Sequence, residues 1–347
     1  MDRTIMNSTT SLAGLDCSFD DAAAEVRPDG NVLGVIEYSN RVGGPLIRDG
    51  YPHLAVPMSG ETGEAFAEVW RTTADVTNGR HKGLAYSYDG EYLFCCGRIQ
   101  EDPDYVTATE ATYLAAFELI DLLDYPNVVR MWNMVEQIND TDGLGHNVYT
   151  QFCRGRAQAF ERRAVSENLI PAATCVGNHG GGIAFYFIAS RSAEVTNIEN
   201  PRQVPAYRYP PKYGIKAPSF ARATYLSPGR PHRSDHLFVS GTASIIGSET
   251  VHGGDVERQC ITTLENISVL IGQENLAQYG IDADLSLKDL DSVKVYVKHG
   301  VDVTLVRQIC SGALSEHAEV AYVNVDICRD DLLVEIEGIV PAVRPAD

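Results

Sequence analysis

Two kinds of hydrophobic pattern take turns along this chain. In one, apolar residues alternate with polar ones, as on a strand; in the other they recur at three- and four-residue intervals, as on a helix. Residues 31–39 (NVLGVIEYS) open the first strand-like run, and Gly43, Gly44 and Pro45 break it. Residues 61–72 predict a short helix, and residues 82–100 a hairpin turning at Asp89 and Gly90. A longer order then follows: a helix over 107–124, a strand within 125–137, a helix over 148–165 and an apolar strand over 182–190. The second half repeats it. Residues 236–247 parallel the strand at 91–100; 255–271 predict a helix, 290–298 a strand and 301–316 a helix, and VAYVNVDIC and DLLVEIEGIV close the sheet. Strand, helix, strand, helix, strand, strand thus occurs twice. It predicts an α+β protein of two domains of one kind, each a mixed sheet with helices packed on one face.

The expected divisions are a polar, acidic and loosely packed arm to residue 30, a first domain over 31–196, a connector over 197–219 and a second domain over 220–347. Pro201, Pro205, Pro210, Pro211 and Pro218 forbid a helix in the connector. Arg202, Tyr207, Arg208, Tyr209, Lys212 and Tyr213 give it more cations and phenols than a spacer needs, as expected of a wall of a cleft between the domains.

The closing strand carries the sharpest chemical signal. Leu332, Val334 and Ile336 alternate with Leu333, Glu335 and Glu337, so two carboxylates share one face. A solvated strand face would explain such a pair, but the flanking residues are apolar up to Gly338, Ile339 and Val340. A carboxyl buried among them would have a raised pKa and would serve as a general acid near neutral pH.

Composition narrows the partners. The 347 residues are 44% apolar and 22% charged, as in a globular protein, and the net charge of −19 disfavours nucleic acid and anionic membranes. An anionic substrate would therefore need a local cluster of cations. No apolar run reaches membrane-spanning length and the first residues lack the core of a signal peptide, so a cytoplasmic protein is expected. Cys17, Cys95, Cys96, Cys153, Cys175, Cys260, Cys310 and Cys328 show no metal-ligand spacing and read mostly as small buried hydrophobes; no metal is expected.

Other candidates carry two readings. The glycines of Asn178–His179–Gly180–Gly181–Gly182 make either a tight turn or a ligand-approaching loop, with the turn favoured. Ser240 to Ser244 are small residues within a strand-like run, which suits close backbone packing or leaves room for a ligand. His179, His252 and His299 stand apart and read as structural, and no serine-hydrolase elbow is present. Arg154 and Arg156 fall near the start of a predicted helix. Arg222, in the apolar run FARATYL, needs either an internal acid or a substrate carboxylate.

Taken together, GNHGGGIAFYF, NIENP, RYPPKYG, FARATYL, FVSGTASIIG, TVHGGDVERQC and DLLVEIEG resemble the chorismatases, a family built on the RidA (YjgF) fold, over roughly residues 31–340. The resemblance implies a cofactor-independent enzyme that removes pyruvate from chorismate, with a small dicarboxylate as its partner and a monomer or trimer as its assembly. It places the catalytic glutamate at Glu335 and implies that Arg156, Arg222, Tyr209 and Tyr213 bind substrate. Family members that hydrolyse chorismate to a dihydroxycyclohexadiene carboxylate carry Ala at the positions of Gly241 and Cys328, whereas those making 3-hydroxybenzoate carry Gly and Cys. The resemblance therefore implies a 3-hydroxybenzoate synthase. A RidA-type imine deaminase is the rival enzyme, but Glu319 stands near its expected arginine; a small-ligand binding module of the same fold is the non-enzymatic rival.

Overall fold

The computed structural model describes residues 14–21, 31–58, 65–141, 147–227 and 235–343. Its first sheet was not expected from the sequence pattern. It comprises β1 (Leu15–Asp21), β2 (Asn31–Ser39), β3 (Leu46–Arg48), β4 (Tyr51–Pro57) and β5 (Phe66–Thr72), in the order β1-β5-β2-β4-β3. Two expectations are corrected here. Part of the supposed arm is β1, paired antiparallel along its whole length with β5 and fastened by an Arg71–Asp20 ion pair at 2.6 Å. The short helix expected over 61–72 is in its described part the strand β5, whose Val69 and Trp70 are buried between neighbouring strands and the core. Residues 31–72 are thus a layer of their own and not part of the first repeat.

The repeat itself is present in the fold. The second sheet is built from β6 (Thr77–His81), β7 (Leu84–Tyr88), β8 (Tyr92–Ile99), β9 (Asn127–Glu136), β10 (Ala172–Asn178) and β11 (Ile183–Ser190), with α1 (Tyr105–Leu123) and α2 (Val148–Arg162) between its strands. The third is built from β12 (Glu194–Ile198), β13 (Ala223–Ser227), β14 (Asp235–Ala243), β17 (Ser292–Val297), β18 (Glu319–Asn324) and β19 (Val334–Val343). A small ribbon of β15 (Ile245–Ile246) and β16 (Glu249–Thr250) follows β14, and α3 (Val256–Ile271), α4 (Gln273–Ala277) and α5 (Val303–Ala313) supply its helices.

The orders are β10-β9-β11-β8-β7-β6 and, read from its other end, β18-β17-β19-β14-β13-β12. Each contains one parallel pair, β9 with β10 and β17 with β18, bridged by α2 and α5 respectively. Strand β12 lies in the third sheet, so that sheet begins before the connector and three residues inside the range expected for the first domain.

Each repeat packs its helices on one face of its sheet. Phe117, Ile120, Phe152 and Phe160 cover the second sheet, and Leu264, Ile267, Leu270 and Val306 cover the third. The opposite faces meet the first sheet in a shared core containing Trp70, Trp132, Tyr186, Phe238 and Tyr296. The free edge of β10 lies against the third sheet, whose side chains satisfy its donors: Ala172 N donates to Thr224 Oγ1 at 2.8 Å and Ala173 N to Ser240 Oγ at 2.9 Å. No helix among the described residues is long and apolar enough to cross a membrane.

Candidate active site

Where β10 meets β14 and β19, a cavity of about 480 Å³ opens under the proline-rich connector, a size suited to a small ligand. Glu335, Cys328, Gly241, Arg222, Arg156, Tyr209 and Tyr213 all line it. The expectation that the connector forms a wall holds for Tyr209 to Ser219, while its cations Arg202, Arg208 and Lys212 pair with Glu265, Glu167 and Glu249.

The two glutamates of β19 differ sharply. Glu337 is buried in a charged knot: Arg130 Nη2 lies 2.8 Å from Oε2, Lys294 Nζ lies 2.8 Å from Oε1, Trp132 Nε1 donates to Oε1 at 2.9 Å, and Thr174 Oγ1 donates to Oε2. Burial alone would raise its pKa, but Lys294 and Arg130 outweigh burial and hold the carboxyl below its ordinary value. Lys294 also pairs with Glu68 of β5 at 2.5 Å, and Tyr38 and Tyr186 complete the knot, so all three sheets meet in it.

Glu335 is 4% exposed, and its carboxyl makes no hydrogen bond among the described residues. Burial, and next the negative charge of Glu337, push its pKa up to about 8; Arg130 and Arg222 pull the other way without reversing the shift. Two carboxyls two residues apart are thereby driven in opposite directions, one held ionised and one holding a proton at neutral pH.

The guanidinium groups of Arg222 and Arg156, both buried, and of the half-buried Arg329 face the same space, with no carboxylate within ion-pair distance among the described residues. Arg222 donates through Nη2 to Tyr209 Oη at 2.7 Å and to Val204 O at 3.0 Å, and its Nε has no partner. The internal ion pair offered as its alternative is not formed among the described residues. Arg156, on the buried side of α2, donates to Ser219 O and stacks over Phe160, again with Nε unpartnered; its neighbour Arg154 points to solvent. Arg329, which the sequence reading missed, lies over the Tyr213 ring at 3.7 Å and leaves Nη2 without a partner. Guanidinium groups left without an acid in this way can take an anion as partner.

Thiol and phenol form another part of the wall. Cys153, Cys175 and Cys328 line the cavity together with Tyr149. Burial, followed by the Glu335 charge, pushes the Cys328 thiol up to about 12, so it contributes bulk and a weak donor, not a thiolate. Gly241 stands against the acid: a Cβ placed there would lie 1.9 Å from Glu335 Oε1.

Other candidates are accounted for elsewhere. The Asn178–Gly182 segment is the turn between β10 and β11, with Gly181 and Gly182 at positive φ and Gly182 N donating to Glu136 Oε2. His179 binds Asn324 O. Glu319 accepts from Phe19 N at the start of β18, outside the cavity lining.

The fold and the site together define the class. The family described as chorismatase FkbO/Hyg5-like, N-terminal, matches residues 68–189. A protein of Streptomyces hygroscopicus named 3-hydroxybenzoate synthase is 48% identical over 96% of this chain and 99% of its own length. A protein of Streptomyces rapamycinicus named chorismatase is 45% identical over 93% of this chain and 97% of its own. A crystal structure of a chorismatase superposes with a TM-score of 0.91 at 42% identity, covering 95% of this chain and 99% of the other. The chain belongs to the chorismatase family.

Proposed function

We propose that the chain converts chorismate to 3-hydroxybenzoate and pyruvate. The observation that carries the reading is the convergence, in one cavity, of a buried glutamate whose pKa is pushed up to about 8 with three arginines that have no carboxylate within ion-pair distance among the described residues. Chorismate has two carboxylates for the arginines and an enol ether for the acid.

In this reading Glu335 gives its proton to the methylene carbon of the enolpyruvyl group, which turns the ether oxygen into part of a leaving group. The ring C4 hydroxyl oxygen then forms a bond to C3 as the C3–O ether bond breaks and pyruvate departs. The hydroxyl proton returns to Glu335, and the resulting arene oxide opens to the phenol. Substrate and products balance without water, so the site has to exclude it. Arg222, supported by Tyr209, and Arg156 hold the carboxylates, with Arg329 and Tyr213 beside them. Gly241 and Cys328 shape the wall that favours internal attack over hydrolysis.

The test is product identification. Purified protein incubated with chorismate is expected to release pyruvate and 3-hydroxybenzoate in equal amounts. Dihydroxycyclohexadiene carboxylate instead would assign the hydrolytic reaction, and ammonia released only from imines would assign the deaminase.

A further inference from the structure

One hydroxyl group ties the catalytic wall to the charged knot behind it. Thr174, buried on β10, donates through Oγ1 to Glu337 Oε2, accepts from Arg130 Nη2 at 2.5 Å and accepts from the Gly241 backbone N–H at 2.9 Å. A threonine hydroxyl has one proton and two acceptor sites, so this group is fully used. The register between β14 and β19 shifts between Val239 and Thr242, so the backbone at Ser240 and Gly241 leaves the regular ladder just where the wall faces Glu335. The Gly241 N–H, turned out of that ladder, finds its acceptor in Thr174, while Ser240 Oγ is held by Ala173 N of the same strand.

We propose that Thr174 is a positioning residue of the reaction: its hydroxyl fixes the Gly241 wall against the Glu337–Arg130 ion pair, and so keeps the Glu335 carboxyl aimed at the substrate. The inference rests on the synthase reading above. Thr174 lines the cavity behind Gly241 and acts through the two groups that flank the acid.

The test compares Thr174→Val, which keeps the shape and removes the hydroxyl, with Thr174→Ser, which keeps the hydroxyl. In Thr174→Val, kcat is expected to fall about tenfold or more with KM changed less than about threefold, since transition-state alignment and not substrate binding is lost. The 3-hydroxybenzoate fraction is expected to fall in favour of the hydrolytic diol, and Thr174→Ser to restore both values. A packing role alone would leave the product ratio unmoved and make Val at least as good as Ser. A folded Thr174→Val protein with wild-type kcat and product ratio would overturn the inference. Should that variant not fold, Thr174→Cys, a weaker hydrogen-bonding group, is expected to turn over more slowly than Thr174→Ser, and equal rates would overturn it. A wild-type chain that leaves chorismate intact would overturn the synthase reading itself, a different result from an active wild type beside an unaffected variant.

Discussion

Gly241→Ala tests the shape of the wall with a single methyl group. The new Cβ would stand 1.9 Å from Glu335 Oε1 and 2.9 Å from Cδ, whereas ordinary contact begins at 3.4 Å, so the carboxylate oxygen must retreat by 1.5 Å. The retreat is feasible because the nearest obstructing atom is the tip of a flexible side chain, while Thr174 Oγ1, at 3.1 Å, need yield only a few tenths of an ångström. Gly241 is also outside the left-handed backbone region, so alanine imposes no strain of its own. The fold should survive, as checked by circular dichroism and thermal melting. Catalysis should not: a misplacement of about 1 Å can cost on the order of 100-fold in rate, so synthase kcat is expected to fall by about that factor, or roughly 3 kcal/mol of barrier. Adding Cys328→Ala removes the thiol on the facing wall and is expected to move product toward the hydrolytic diol. Pyruvate release followed by a coupled assay gives the rate, and chromatography of the ring products gives the ratio. A Gly241→Ala enzyme with wild-type rate and product would refute the claim that this contact positions the acid.

Glu335→Gln should reduce pyruvate release by at least about a thousandfold with the fold intact, within the range general acids contribute; near-normal release would remove Glu335 as the proton donor. Because the donor works only while protonated and its pKa is pushed up to about 8, kcat/KM should be level below that pH and fall above it. A profile already falling at pH 6, as an ordinary glutamate would give, would contradict the burial argument. Arg222→Ala should raise KM about tenfold or more through loss of a charge-assisted bond, and steady-state kinetics showing an unaltered KM would return Arg222 to a structural role.

Much of the site was readable because its signals are local. A period of two put Glu335 and Glu337 on one face, and apolar flanks said that the face was buried. The excess of cation and phenol in the connector pointed to a cleft wall. What escaped was less a failure of pattern than of applying it evenly. Arg222 drew notice as a charge inside an apolar strand, yet Arg130 in VVRMW and Lys294 in SVKVYV are charges of the same kind, and these hold Glu337. Arg329 gave a weaker signal, its adjacency to Cys328. The first sheet was missed for a different reason. Its strand β1 is acidic and short, and its place is fixed by pairing with β5, whose Arg71 lies 51 positions along the chain from Asp20, a relation no local window contains.

The fused repeat has a consequence for how such a site can evolve. Strand β11 holds in the second sheet the place that β19 holds in the third, and its sequence IAFYFIAS contains no carboxylate. To the cavity wall the earlier copy lends Arg156 and Thr174; the later one supplies Glu335, Gly241, Arg222 and Arg329. Separate identical subunits must accept every mutation in every copy, whereas tandem halves on one polypeptide are free to specialise. Tandem halves that are free to diverge let a single lopsided pocket, with Glu335 on the later half and arginines from both, be written into a pseudo-symmetric scaffold.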